Sequence, residues 1–188
     1  MRHLRATAAV APLLALAACA SPASGAAPQA AAVAQPVSVG QPQDDGSSCT
    51  GPGGYRVELP AGWSTNEAGV LPACSWFGPG EVVVPEASDV RTAPVTLQLL
   101  DAPLAEVAGP VPDEVGRAEL VVGGREAVRI EQVTTLGLYP EGTRITTWAV
   151  DLGGRTLLAD AVELPRVDHD SAVAALDAMV EGLQTAAV

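Results

Sequence analysis

Glu119-Leu120-Val121-Val122-Gly123-Gly124-Arg125-Glu126-Ala127-Val128-Arg129-Ile130-Glu131-Gln132-Val133-Thr134 reads as two extended runs folded about a glycine pair. Gly123-Gly124 suits the φ > 0 positions of a tight turn, so Glu119 to Val122 and Ala127 to Thr134 are expected to pair as a hairpin. On the second run Val128 and Ile130 face one side and Arg129 and Glu131 the other, the alternation of a half-buried strand. A second hairpin is predicted where Arg144 to Val150 and Thr156 to Val162 flank Asp151-Leu152-Gly153-Gly154. Upstream, Gly54 to Pro60 alternates apolar and polar residues in the same way, and Trp63 is read in the turn Pro60-Ala61-Gly62-Trp63. Cys74-Ser75-Trp76-Phe77 is a further short strand, with Glu81 to Val84 as an extension, and Val95 to Leu100 is another.

Near the end of the chain the period changes. Ala172, Val173, Leu176, Met179, Val180 and Leu183 recur at helical spacing, which predicts an amphipathic helix from about Asp170 to Thr185. Asp168, Asp170 or Ser171 can cap it, and the acids also suit the positive end of the helix dipole. Asp101 to Val107 allows one short helical turn, limited by Pro103, Pro110 and Pro112. The expected class is α+β: an antiparallel sheet of about six strands with the C-terminal amphipathic helix packed on one face.

The N-terminus is of another kind. Arg2, His3 and Arg5 precede an apolar stretch, Ala6 to Ala18, too short to span a bilayer and suited to a secretory signal. Leu16-Ala17-Ala18-Cys19 resembles the lipobox of bacterial lipoproteins. In that family the chain is cut before the cysteine, and a diacylglyceryl group is placed on its thiol, often with a third acyl chain on the new amino group. An Ala-x-Ala cut, at Ala15-Leu16-Ala17 or Ala18-Cys19-Ala20, is the competing reading. Two or three acyl chains would hold a protein at a membrane, where one holds it only marginally. The resemblance therefore implies a protein anchored through Cys19 on the outer face of the cell membrane.

The chain accordingly divides into a signal peptide, 1–18; a lipidated Cys19 and tether, 19–46; and one globular domain, 47–188. The tether is Ala, Pro, Ser, Gly and Gln with no charge before Asp44, too poor in large apolar residues to offset the entropy of ordering. In the domain, Tyr55-x-Val57-x-Leu59-Pro60-x-Gly62-Trp63, the later hairpins and Ala175-Leu176-x-x-Met179-Val180 resemble the PsbP-like fold of small secreted and lipid-anchored proteins. Actinobacterial LpqN-type lipoproteins are similar. The likeness covers residues 52 to 185, and its most specific part is the Leu-Pro-x-Gly-Trp opening. The long second helix of that fold is hard to find in the sequence, and no catalytic or metal residue carries over.

Composition limits the partners. The formal charge is −12, and loss of Arg2 and Arg5 with the signal leaves eight arginines against 22 acids, a charge of −14. There is no lysine; all ten basic residues are arginine, a usage that with abundant alanine resembles actinobacterial coding bias. Nucleic acid and anionic headgroups need clustered positive charge and are not expected as partners. Beyond the anchor, Cys49 and Cys74 form an even pair in an extracytoplasmic chain, which reads as a disulfide closing a loop of about 26 residues. A zinc site is the alternative, but the two lack the close spacing and neighbouring ligands that zinc needs.

Little else points to chemistry. His169 lies between Asp168 and Asp170, where a carboxylate-held base or metal ligand competes with a solvated histidine beside helix-capping acids. Ser64, Ser75, Ser88 and Ser171 lack a nucleophile setting and read as turn or cap residues. Gly51-Pro52-Gly53-Gly54 precedes a strand, so it is no phosphate cradle. Glu81, Glu86 and Asp89, and Asp113 with Glu114, lack the alternation of a calcium loop. Trp63, Trp76 and Trp148, with Phe77 and Tyr139, are candidates either for a ligand pocket or for core packing, with Trp76 expected beside the disulfide. The expected function is a lipid-anchored, non-catalytic binding module for an envelope protein or a small apolar ligand, without cofactor or metal. A passive structural lipoprotein and an enzyme are the alternatives.

Overall fold

The computed structural model describes residues 47–86 and 90–185. The signal peptide, Cys19 and the tether to residue 46 lie outside the described residues, as do Ser88 and Asp89.

The glycine hairpin forms the outer part of the main sheet. β6 (Glu114–Val122) turns through Gly123 and Gly124, at φ +56° and +79°, into β7 (Arg125–Val133). Those angles fall where a side chain would meet the backbone, which is why glycine stands there. The second hairpin, β8 (Arg144–Asp151) and β9 (Thr156–Val162), turns on Gly153 and Gly154, with the Gly154 N–H donating to Asp151 Oδ1 at 3.2 Å. β5 (Val95–Leu100) pairs with β9 over all six of its residues. β3 (Trp63–Thr65) and β4 (Trp76–Pro79) complete a seven-stranded antiparallel sheet in the order β3-β4-β5-β9-β8-β7-β6.

A separate sheet holds β1 (Ser48–Thr50), β2 (Tyr55–Glu58) and a last strand, β10 (Gln184–Thr185), in the order β1-β2-β10. The expected count of about six strands is therefore too low. Trp63, expected in a turn, opens β3 instead. Glu81 to Val84 forms no strand; Pro79 and Pro85 bracket it, and proline removes ladder donors. β1 and β10 are too short for any period to appear.

Two helical segments lie on opposite faces of the main sheet. α1 (Leu104–Val107) is a single turn in the connection from β5 to β6. Arg117 on β6 donates to Ala108 O and Gly109 O, and Thr156 on β9 to Ala102 O, which ties this connection to one face. α2 (His169–Glu181) begins at Asp168, whose carboxylate accepts from Ser171 N at 3.1 Å. It stops at Gly182, short of the expected Thr185, because the chain turns there into β10 and pairs with β2.

Ala172, Leu176, Met179 and Val180 of α2 are buried in one core with Val57, Phe77, Leu97, Trp148 and Leu157. Register explains the composition of the covered sheet face: Ala127, Val150, Leu157 and Leu99 form one cross-strand row, and Arg129, Trp148, Ala159 and Leu97 the next. Each large apolar side chain fully buried here contributes about 1.5–3 kcal/mol before entropy is counted.

Cys49 on β1 and Cys74 before β4 are joined, with Cα atoms 5.8 Å apart. Beside them Tyr55 is buried, its O–H donating to Cys74 O at 2.8 Å, and burial pushes the phenol up to about 12. Gly51 lies over the Tyr55 ring so closely that any side chain at 51 would overlap it. Replacing both Cys49 and Cys74 by serine is expected to lower stability by about 3 kcal/mol through the freed loop. A urea titration read by Tyr55 and tryptophan fluorescence checks this, and an unchanged midpoint would show that the bridge is dispensable.

Candidate functional site

β4 meets β5 through only two residue pairs, Trp76 with Thr96 and Phe77 with Val95. The Leu97 N–H then donates to Ser75 O at 2.8 Å, and beyond it no strand among the described residues pairs with this edge of β5. A cavity of about 470 Å³ opens in that gap. Leu71, Pro72, Trp76 and Leu99 give it apolar walls, and Gln98 and Arg91 give it polar ones.

One buried side chain holds those walls together. Asn66 Oδ1 accepts from Ser75 N (3.1 Å) and Trp76 N (2.8 Å), while its Nδ2 donates to Glu67 O (2.9 Å) and Pro72 O (2.8 Å). A buried amide so fully paired fixes the loop it bridges, because breaking any of these bonds would leave a polar group dry. Arg91 is clamped in turn, donating to Ala93 O, Pro94 O and Asp160 O at 2.8–3.0 Å. Asp160, in register with Thr96, accepts from Thr147 Oγ1 at 2.7 Å. Burial raises its carboxyl pKa above the usual carboxylate range.

The three tryptophans read as a candidate pocket do not share a cavity. Trp76 alone lines the gap beside β5. Trp63 lines a separate shallow groove with Ser64 and Val82. Trp148 is buried on the α2 face, where its Nε1 donates to Asp177 Oδ1 at 2.7 Å and Arg129 Cζ stands 6.0 Å from the ring centroid. The aromatic residue hydrogen-bonded at the bridge is Tyr55.

His169 is 5% exposed, in the first turn of α2, and its Nδ1 has no hydrogen-bond partner. It lines a cleft of about 330 Å³ with Arg129, Glu131, Arg144 and Asp170. Arg144 holds Glu163 and Asp170 at 3.3 and 2.9 Å, and Asp168 caps the helix. No carboxylate hydrogen-bonds His169 among the described residues, so the contact a catalytic base would need is not formed there.

Asp113 and Glu114, weighed as calcium ligands, are each tied to a neighbour within the fold. Asp113 accepts from Thr135 Oγ1 and N, which lowers its pKa, and Glu114 is lowered by its paired Arg117. Among the described residues no group of three or more His, Cys, Asp and Glu side chains is placed to hold a metal ion.

No protein-family model matches the chain, and no curated protein matches it. Among solved structures it is similar to cyanobacterial PsbP (CyanoP) from Synechocystis sp. PCC 6803, at 10% identity and a TM-score of 0.47, over 74% of this chain and 91% of that one.

Burial is the main cause that lowers the pKa of His169 from its usual 6.5, and the Arg144 guanidinium adds to it. The unfolded chain therefore takes up this proton at a higher pH than the folded one. Stability present above 6.5 is lost as the pH falls through the depressed value. In His169→Gln, the unfolding free energy should fall less between about pH 7 and about pH 5 than in the native chain. Urea titrations at both pH values measure this, and equal falls would remove His169 from the account.

Proposed function

We propose that this chain is a lipid-anchored protein of the outer face of the cell membrane, whose domain is a non-catalytic binding module for a small apolar ligand. The observation that carries the binding role is the cavity beside Trp76. It has apolar walls, an indole face, and backbone polar groups of β5 left unpaired by β4. Such a site can take an apolar body against Trp76, Leu71 and Leu99, and a polar end near Gln98 and Arg91. The Asn66 bonds preform the walls, so little ordering cost falls on binding. No helix among the described residues is long and apolar enough to cross a membrane, and the proposed membrane attachment rests on the lipobox-like Leu16-Ala17-Ala18-Cys19. A partner protein is the second reading, favoured by the loop between β7 and β8, where Leu136 and Leu138 are 89% and 100% exposed.

Cys19→Ser is expected to abolish both incorporation of labelled fatty acid and sedimentation with membranes. Unchanged sedimentation would end the anchoring proposal. For the cavity, the native protein should bind the apolar fluorophore anilinonaphthalene sulfonate saturably, with oleate competing. Trp76→Ala should weaken that binding by roughly tenfold, while Trp63→Ala leaves it unchanged. Equal affinity in native protein and Trp76→Ala would place the binding elsewhere.

A further inference from the structure

The two edges of the main sheet are managed differently. At one end β3 has only three residues, and a short edge strand offers little template for further pairing. At the other end β6 has nine, pairs with β7 on one side, and has no strand on the other among the described residues. It carries neither proline nor lysine, and Val115 and Val121 are 65% and 73% exposed. A bulge at Val115 is its only irregularity.

The sequence of β6 is complementary to itself. Two copies paired antiparallel about a twofold axis normal to the sheet overlap fully when Ala118, the midpoint of Glu114–Val122, lies on the axis. In that register Arg117 opposes Glu119 of the second copy, and Glu119 opposes Arg117. Val115 opposes Val121, Gly116 opposes Leu120, and Ala118 opposes itself. Each of these pairs joins opposite charges, two apolar side chains, or a large residue with a small one; only the end pair, Glu114 opposite Val122 beyond the bulge, lacks such a match. Cross-strand pairs of these kinds stabilise a sheet, and like charges directly opposite destabilise it.

The neighbouring registers fail on that ground. Centring on Arg117 sets arginine against arginine, and centring on Glu119 sets glutamate against glutamate. The side chains are also available. Arg117 uses four of its five N–H donors on Glu114, Ala108 O and Gly109 O, which leaves one, and Glu119 makes no ion pair among the described residues. A chain of charge −12 repels its own copies in general, so association needs a locally matched seam of this kind.

We propose that the protein forms a twofold dimer through antiparallel pairing of β6 with β6 of a second copy, centred on Ala118, which joins the two main sheets into one. The contact is isologous, so it closes at two copies and leaves no further edge of this kind. It is independent of the Trp76 cavity, which lies across the sheet beside β5.

The test is cysteine cross-linking of the full chain in membranes. Ala118→Cys should give a disulfide-linked dimer on mild oxidation, while Glu181→Cys on exposed α2 surface does not. Adding Glu119→Arg, which sets arginine against arginine, should lower the Ala118→Cys yield by roughly fivefold. Because a new cysteine can disturb the native bridge, light scattering of the Cys19→Ser chain gives a second reading: twice the chain mass, falling to one chain in Glu119→Arg. A single-chain mass without that substitution overturns the proposal. So does Ala118→Cys cross-linking no better than Glu181→Cys, or unaffected by Glu119→Arg.

Discussion

Two sheets that share no strand cannot be held in register by a hydrogen-bond ladder, and in this chain a covalent bond with a buried phenol takes that role. Cys49 lies on the three-stranded sheet, and Cys74 lies just ahead of β4 on the seven-stranded one. The Tyr55 hydroxyl reaches from β2 to the carbonyl of Cys74, so Cys74 is fixed to the smaller sheet both by the bridge to Cys49 and by a hydrogen bond from Tyr55 inside the core. Gly51 is required because the chain must cross the ring closely, and Cys74 itself stands at φ +62°, a conformation few side chains adopt. The Trp76 cavity inherits its shape from this junction. The loop that carries Leu71 and Pro72 ends at Cys74, and Tyr55 lines the same space. Loosening the bridge would therefore reach the cavity before it reached the hairpins.

What was legible in the sequence divides along physical lines. Both glycine hairpins appear where Gly123-Gly124 and Gly153-Gly154 announce them, because positive φ is a local demand that few residues meet. The α2 period is local too, and of the three cap candidates it offers, Asp168, Asp170 and Ser171, the fold uses Asp168. Strands of two or three residues were not, since alternation over such lengths is indistinguishable from chance. Pro60-Ala61-Gly62 marks a turn and draws Trp63 into it on sequence grounds, but β3 starts on Trp63 itself. β6 begins five residues before its expected start, where Gly116 and the bulge at Val115 break the alternation.

The candidate site was less legible than the fold. A cavity created by a strand that ends early is a property of pairing, and no residue type marks it. Tryptophan content pointed to aromatic walls without showing that Trp63, Trp76 and Trp148 fall in three different environments. Asn66 carries no signal in the sequence, although it organises the site. A lone asparagine in a polar loop looks like an ordinary turn residue until four backbone groups are seen to converge on it. Its flanking acids make His169 conspicuous in the sequence. Asp168 is used instead as a helix cap and Asp170 as a partner of Arg144, which leaves the ring buried and its Nδ1 unpaired.

The arginines show how an acidic chain without lysine uses its few positive charges. Arg91 binds three main-chain carbonyls, Arg117 a carboxylate and two carbonyls, and Arg125 reaches Gly123 O and Thr185 Oγ1. Arg129 pairs with Glu131 and Asp177, and Arg144 with Glu163 and Asp170. A planar guanidinium with several fixed donors suits such clips, where a lysine offers one mobile point charge. With these five of its eight arginines held by carbonyls, a hydroxyl or carboxylates, and 22 acids in the chain, the domain presents a surplus of negative charge to its surroundings. Such a field disfavours polyanions and gives general repulsion between copies, so any association must rest on a seam or cavity of local complementarity. Among the described residues Arg117 is the one clip with a donor left over on an edge strand, and that edge is where opposite charges stand two residues apart on one face.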